Sequence, residues 1–249
     1  MNTELARTAR AVFADHQAEG TDGLPTALWS ALADLGLVQL TLPEEAGGSG
    51  GELDDLATVL SAAGEAAAPV PLAETESAGW LLHSAGLSVP AGPLAVVVDS
   101  AGTLTVRTDG HTVSIFGTVA KVGWARHATR LVLLTADNTG TDLVVSMDPS
   151  EARIVPGSNL AGEPRDEVRL HGRPVDFAPA PASTRELMKR RAALFRSLLL
   201  AGVASGALSR SIRYARERVQ FGRPIAEFQA VQQQSPWPPP RSPLAAPPR

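Results

Sequence analysis

The chain has 249 residues, 44% of them hydrophobic and 19% charged, a net charge of −4 and no cysteine. That length buries a sizeable core as one large domain or two smaller ones, and the acidic balance gives no field for nucleic acid. The missing thiols exclude disulfides, thiolate metal centres and cysteine nucleophiles, and His16, His83, His111, His127 and His171 lack paired-ligand spacing, so no metal site is expected.

Met1 to Arg10 carries no apolar signal core, and no apolar run reads as long enough to span a bilayer, so a cytoplasmic chain without a membrane segment is expected. Residues 3 to 87 read as helices. Leu28, Leu32 and Leu35 recur at helical spacing after Pro25, and Gly36 closes that helix. Leu53, Leu56, Leu60 and Ala63 form a second stripe ended by Gly64, and Ala78, Leu81, Leu82 and Ala85 a third ended by Gly86. Between the first two, Gly47-Gly48-Ser49-Gly50-Gly51 matches the Gly-x-Ser-x-Gly pattern of a nucleophile elbow. An elbow needs a strand running into the serine, whereas Pro43 to Ala46 intervene here. The match reads as a chance product of a glycine-rich loop.

From Pro90 to Ala178 the pattern shortens to strands: Leu94 to Val98, Thr103 to Arg107, Thr112 to Phe116, Leu131 to Thr135, Leu143 to Met147, Arg153 to Val155 and Glu167 to Leu170. Asp109-Gly110 is a hairpin turn signal, and frequent turns among short strands predict a small antiparallel barrel or sandwich. From Ser183 an apolar stripe returns at helical spacing, through Leu187, Leu194, Leu198, Ala201, Ser205, Leu208, Ile212 and Ala215. Gly202, Ala204, Ser205 and Gly206 on this helix would let another helix approach closely. It ends in a basic run, Arg210, Arg213, Arg216 and Arg218, followed by Phe221-Gly222-Arg223-Pro224, with Pro224 suited to open the next helix.

The segment Tyr214-Ala215-Arg216-Glu217-Arg218-Val219-Gln220-Phe221-Gly222-Arg223-Pro224-Ile225, with Phe228-Gln229 and Gln232, resembles the central helices of acyl-CoA dehydrogenases. The order of helices, strands and long helices resembles that family too, over residues 3 to 233. The implied fold is α+β: an N-terminal helical domain (1–88), a middle β barrel or sandwich (90–180) and the start of a C-terminal helical bundle (183–233). The implied function is that of an acyl-CoA dehydrogenase-like oxidoreductase subunit, in lipid catabolism, acting on an acyl-CoA thioester with FAD in a homo- or hetero-oligomer.

The resemblance assigns Arg218, Gln220, Phe221 and Gln229 to the pyrophosphate and adenosine of FAD held by a neighbouring subunit. Arg218 supplies a planar fork for phosphate oxygens, and a helix beginning near Pro224 would add free N–H groups. By position, Val122, Gly123 and Trp124 replace the residues that pack on the isoalloxazine ring. The first contact strand lacks the hydroxyl that the family carries before its acidic residue, here Asp99. Most family members hold the catalytic glutamate beyond the point where this chain ends, and a minority hold it where Arg190-Arg191-Ala192-Ala193 stand. Glu186 lies almost two turns upstream, and no catalytic base is identified. A non-catalytic subunit completing the FAD site of an active partner is the alternative.

After Gln234 the chain reads Ser-Pro-Trp-Pro-Pro-Pro-Arg-Ser-Pro-Leu-Ala-Ala-Pro-Pro-Arg, through which no helix continues. Read from the third base of the Gln234 codon with GC-rich codons, the same stretch yields an amphipathic helix, so a frameshifted end to a truncated domain is expected. A polyproline ligand that recruits a partner domain is the competing, lower-ranked reading of this tail (234–249).

Overall fold

The computed structural model describes residues 3–16, 23–99, 102–109 and 112–234. The chain divides into two compact units, Met1–Val203 and Ala204–Arg249. The proline-rich tail and Gly110 of the expected hairpin turn lie outside the described residues.

The first unit begins with four helices, α1 (Thr3–Asp15), α2 (Thr26–Asp34), α3 (Leu53–Ala66) and α4 (Leu72–Ser84). Leu28 and Leu32 of α2 and Leu56, Val59 and Leu60 of α3 meet Ala9 and Phe13 of α1 in one apolar core. Leu35 turns outward, because α2 stops at Asp34 and Gly36, at φ 66°, reverses the chain. Gly64 does not end α3, contrary to the periodicity; the helix runs on and Ala67 caps it in the left-handed region.

The reason lies in α5 (Thr184–Glu217), which crosses α3 at that glycine. A methyl group at Gly64 would strike the Leu199 carbonyl oxygen, and one at Gly202 would strike the Ser61 carbonyl oxygen and stand 3.0 Å from Gly64 Cα. The two helices thus touch backbone to backbone, and Phe195 of α5 enters the helical core. By length and composition α5 also passes as a bilayer-crossing helix, with an 18-residue window of mean hydropathy 1.5, which corrects the reading that no segment does. Arg196 inside the helix interrupts any uninterrupted apolar run.

Seven strands follow α4: β1 (Leu94–Val98), β2 (Leu104–Asp109), β3 (Thr112–Gly123), β4 (Arg130–Ala136), β5 (Asp142–Met147), β6 (Ala152–Val155) and β7 (Arg165–Pro179). They form one sheet in the order β1-β4-β5-β7-β3-β2, with β6 also on β7. The pairs are antiparallel except β1 with β4, which is parallel, so the sheet is mixed rather than purely antiparallel. The β2–β3 excursion between β1 and β4 is long enough to return the chain in the same direction.

Alternation explains the uninterrupted apolar run of β4. Leu131 and Leu133 face the inner core of the curved sheet with Val97, Ile115, Val145 and Leu170, while Val132 and Leu134 face Ala78, Leu81 and Leu82 of α4. Helix α4 is therefore enclosed by the sheet on one side and α5 on another.

The second unit holds the rest of α5, strands β8 (Val219–Gln220) and β9 (Arg223–Pro224), a 3₁₀ turn (Ile225–Glu227) and α6 (Gln229–Gln234). Pro224 does not start a helix. It pairs with Val219, Gln220 pairs with Arg223, and Phe221 and Gly222 make the turn at φ 51° and 79°, two positive values as a type I′ hairpin requires.

Replacing a helix-interior glycine with alanine ordinarily stabilises by up to about 1 kcal/mol. At Gly202 the sign should reverse, with Gly202→Ala lowering stability by roughly 1–3 kcal/mol through overpacking. Urea denaturation of variant and wild type checks this, and a higher midpoint for the variant would contradict the crossing.

Candidate functional site

Enclosure of α4 makes every polar residue on it expensive unless paired. Four stand together in its first turns; Ser77 donates to the Ala73 carbonyl of its own helix at 2.7 Å, while Glu74, Thr75 and Glu76 reach other elements. Thr75 accepts the Leu94 N–H at 3.0 Å and so ties α4 to β1. Glu76, 1% exposed, accepts the Thr41 N–H at 3.2 Å on the same oxygen that takes the Thr41 hydroxyl. Arg191 Nη2 of α5 stands 3.9 Å from that oxygen, its guanidinium 4.9 Å from the Trp80 ring centroid and 5.2 Å from that of Phe195. Glu76 Oε2 and Arg191 Nε are both buried without a hydrogen-bond partner. Burial pushes the Glu76 carboxyl above its ordinary range, against the pull of the Thr41 donors and Arg191.

Glu74 points the other way. Its Oε1 lies 3.5 Å from Arg196 Nη2 and 3.8 Å from Arg165 Nη1, and Arg165 Nη2 reaches Glu163 at 3.0 Å. Burial also raises its proton affinity, opposed chiefly by Arg196. This network borders a cavity of about 540 Å³ walled by Ala63, Ala67, Leu199, Leu200, Val203 and Trp124, with Glu163 and Arg196 as its charged lining. None of Glu74, Glu76, Arg165 and Arg196 stood out in the sequence. The available signal was two carboxylates within an otherwise apolar helical stretch that has to be buried.

Val122 is 4% exposed and faces the inner core of the sheet. Trp124 is 1% exposed in the left-handed region and backs the cavity. A Cβ on Gly123 would stand 2.5 Å from Arg165 Nη1 and 3.3 Å from Glu74 Oε1. Asp99 accepts the N–H groups of Thr103 and Leu104 at 2.9 and 3.2 Å, a loop cap. At the start of α5, Arg190 pairs with Glu186 at 2.9 Å and Arg191 belongs to the Glu76 pair, so residues 190–193 present no carboxylate. Ser49 Oγ donates to the Gly36 carbonyl at 2.7 Å within a loop that no strand enters, which leaves it no elbow geometry.

In the second unit Arg218, Gln220, Phe221 and Gln229 are all exposed, Phe221 by 94%. The hairpin fixes Arg218 because its carbonyl accepts the Ile225 N–H at 2.8 Å. Phe228 lies edge-on to Phe221 at 6.2 Å, and the Arg223 guanidinium covers it at 4.3 Å. Arg218 makes no ion pair with Glu217 or Glu227 among the described residues. The anion-binding helix start expected at Pro224 is absent, because extended chain and a single 3₁₀ turn stand there.

Two family models match the chain: the acyl-CoA dehydrogenase N-terminal domain over residues 1–87 and the acyl-CoA dehydrogenase C-terminal domain over residues 182–235. The acyl-CoA dehydrogenase IpdE2 of Mycolicibacterium smegmatis is 29% identical over 208 residues, which cover 82% of this chain and 58% of that protein. The acyl-CoA dehydrogenase FadE34 of Mycobacterium tuberculosis is 32% identical over 210 residues, 82% of this chain and 28% of the relative. The chain thus spans 58% or less of these two relatives. Among solved structures, a variant of the Tcur3481-Tcur3483 steroid ACAD superposes with a TM-score of 0.80 at 28% identity, covering 93% of this chain and 71% of that one. The ChsE4-ChsE5 complex from Mycobacterium tuberculosis has the same fold, with a TM-score of 0.80 at 22% identity over 92% of this chain and 70% of that one.

The Glu76 pair sets a pH dependence. A carboxyl whose folded pKa lies above the ordinary 4.5 binds its proton more tightly folded than unfolded. Its stabilising contribution is complete below 4.5 and is lost as pH rises through the folded value. Glu76→Gln keeps an acceptor for Thr41 but cannot titrate. Wild type should therefore lose stability relative to the variant as pH rises from about 4 to 7.5, seen as converging or crossing urea midpoints. Parallel curves would show that Glu76 does not carry the effect.

Proposed function

The chain belongs to the acyl-CoA dehydrogenase family, and from that premise we propose that it is a subunit of an FAD-dependent enzyme oxidising an acyl-CoA thioester between its α and β carbons. The observation that carries the reading is the exposed hairpin of the second unit. Arg218, Gln220, Phe221 and Gln229 are all exposed, and Phe221 is held at φ 51° at the turn. A bulky apolar side chain 94% exposed on a left-handed backbone, meeting Phe228 only edge-on, costs folding energy and returns little within its unit. It fits a surface that meets another subunit.

In this reading the Arg218 fork takes the pyrophosphate oxygens of FAD held by a neighbour, Phe221 covers the adenosine side, and Gln229 offers its amide to ribose or phosphate. FAD, when bound, accepts the hydride from the β carbon. A base must also remove the α proton within hydrogen-bond reach, and residues 190–193 offer none.

A second, narrower role is that of a non-catalytic subunit that completes the FAD site of an active partner, favoured by the burial of Val122 and Trp124 within the first unit. Arg191 lies within the stretch 190–193 to which the family resemblance assigns the glutamate of a minority of members, and its guanidinium faces Glu76 at 3.9 Å. The ChsE4-ChsE5 complex joins two differently named proteins, which supports pairing between unlike chains.

Co-expression of the chain with acyl-CoA dehydrogenase partners, followed by flavin quantification, tests both. Arg218→Ala should weaken FAD retention by the complex roughly 10- to 100-fold, the worth of a charge-assisted hydrogen bond. Unchanged FAD retention would remove the hairpin from the site. A homo-oligomer active on acyl-CoA by itself would dispose of the partner role.

A further inference from the structure

We infer that the first unit does not hold a flavin ring, because the face that would carry it is occupied by an internal ion-pair network centred on Glu74. A stacked isoalloxazine needs a flat outward surface from the sheet, and four separate features withhold one. Val122 points into the apolar interior of the sheet. Trp124, 1% exposed, is turned inward to the back wall of the cavity, with a positive φ at both Lys121 and Trp124 setting that course.

Gly123 presents only backbone, and the space beside it is filled: Arg165 Nη1 and Glu74 Oε1 would lie 2.5 and 3.3 Å from a Cβ there. Just beyond the end of β1, which the resemblance makes the first contact strand, the Asp99 carboxylate is folded back onto the Thr103 and Leu104 amides. The glycine is what admits the guanidinium, since any larger residue at 123 would displace Arg165. Arg165 in turn bridges Glu163 and Glu74, and Arg196 closes the network from α5. A ring entering beside Gly123 has to push Arg165 aside. Glu74 would then be left largely buried with one cation fewer, a costly arrangement for a carboxylate.

The inference rests on the subunit reading only for where a ring would lie. Its consequence is a division of labour in which this chain gives a neighbour contacts to the pyrophosphate end of FAD and holds no ring itself. The test uses the full chain, its fold verified by circular dichroism, titrated with riboflavin, which carries the ring without the pyrophosphate. No change in riboflavin fluorescence anisotropy or visible bands is expected, whereas saturable binding would overturn the inference.

The double substitution Glu74→Ala with Arg165→Ala opens the space beside Gly123, and in a folded variant riboflavin affinity should rise about tenfold or more. A folded variant that binds no better than wild type would show that the network is not what excludes the ring. In a complex with an active partner, one FAD per pair of chains is expected, and one per chain overturns the inference. Failure of the hairpin reading shows separately, as FAD retention indifferent to Arg218→Ala.

Discussion

The structure depends on a helix with almost no free surface. Helix α4 lies between the sheet and the helical layer, so its polar side chains must find partners inside the protein. Three consecutive ones do so in three directions: Thr75 to β1, Glu76 to Thr41 and Arg191, Glu74 to Arg165 and Arg196. Each bond joins α4 to an element distant in sequence. Apolar packing alone would let α4 slide or rotate between its neighbours at modest cost; the three polar residues specify one setting. Breaking either carboxylate pair by removing one partner is expensive, because the charge left behind stays buried.

The same commitments shape the chemistry available to the chain. Arg191 and Arg196 face α4 with their charges already balanced, and Arg165 is shared between two carboxylates. The first unit thus spends its charged groups on holding itself together around a cavity lined mainly by apolar side chains. The second unit does the opposite, leaving Arg218, Gln220, Phe221 and Gln229 in solvent on a hairpin that fixes their spacing. Inward pairing around α4 in one unit and outward display in the other suit a subunit that acts on a neighbour.

Much of the architecture was legible in spacing. The stripes of α2, α3, α4 and α5 and the runs of β1, β4 and β5 follow from period and composition, because each has a face or faces that must be apolar. What escaped was set by distant contacts. Gly64 reads as a helix end, yet it lies inside α3 because α5 crosses there. Strand β7 was visible only at Glu167 to Leu170 but runs Arg165–Pro179, since the charged Asp166, buried on its inner face, and Gly172 within it interrupt the alternation. Pro224 reads as a helix start until the positive φ of Phe221 turns the chain into a hairpin. Glu74 and Glu76 give no motif at all; their meaning comes from arginines of α5 more than a hundred residues away.

The helical core of the first unit is drawn from residues 9 to 73 and one latecomer, Phe195. On a ribosome adding about 5–20 residues per second, α1 to α4 emerge on the order of 6–24 s before Phe195 and Gly202 are made. For that interval the groove on α3 stands open, its glycine shaped for a helix not yet synthesised. Covalent connectivity therefore sets a limit on assembly: the first layer synthesised is the last that can be completed.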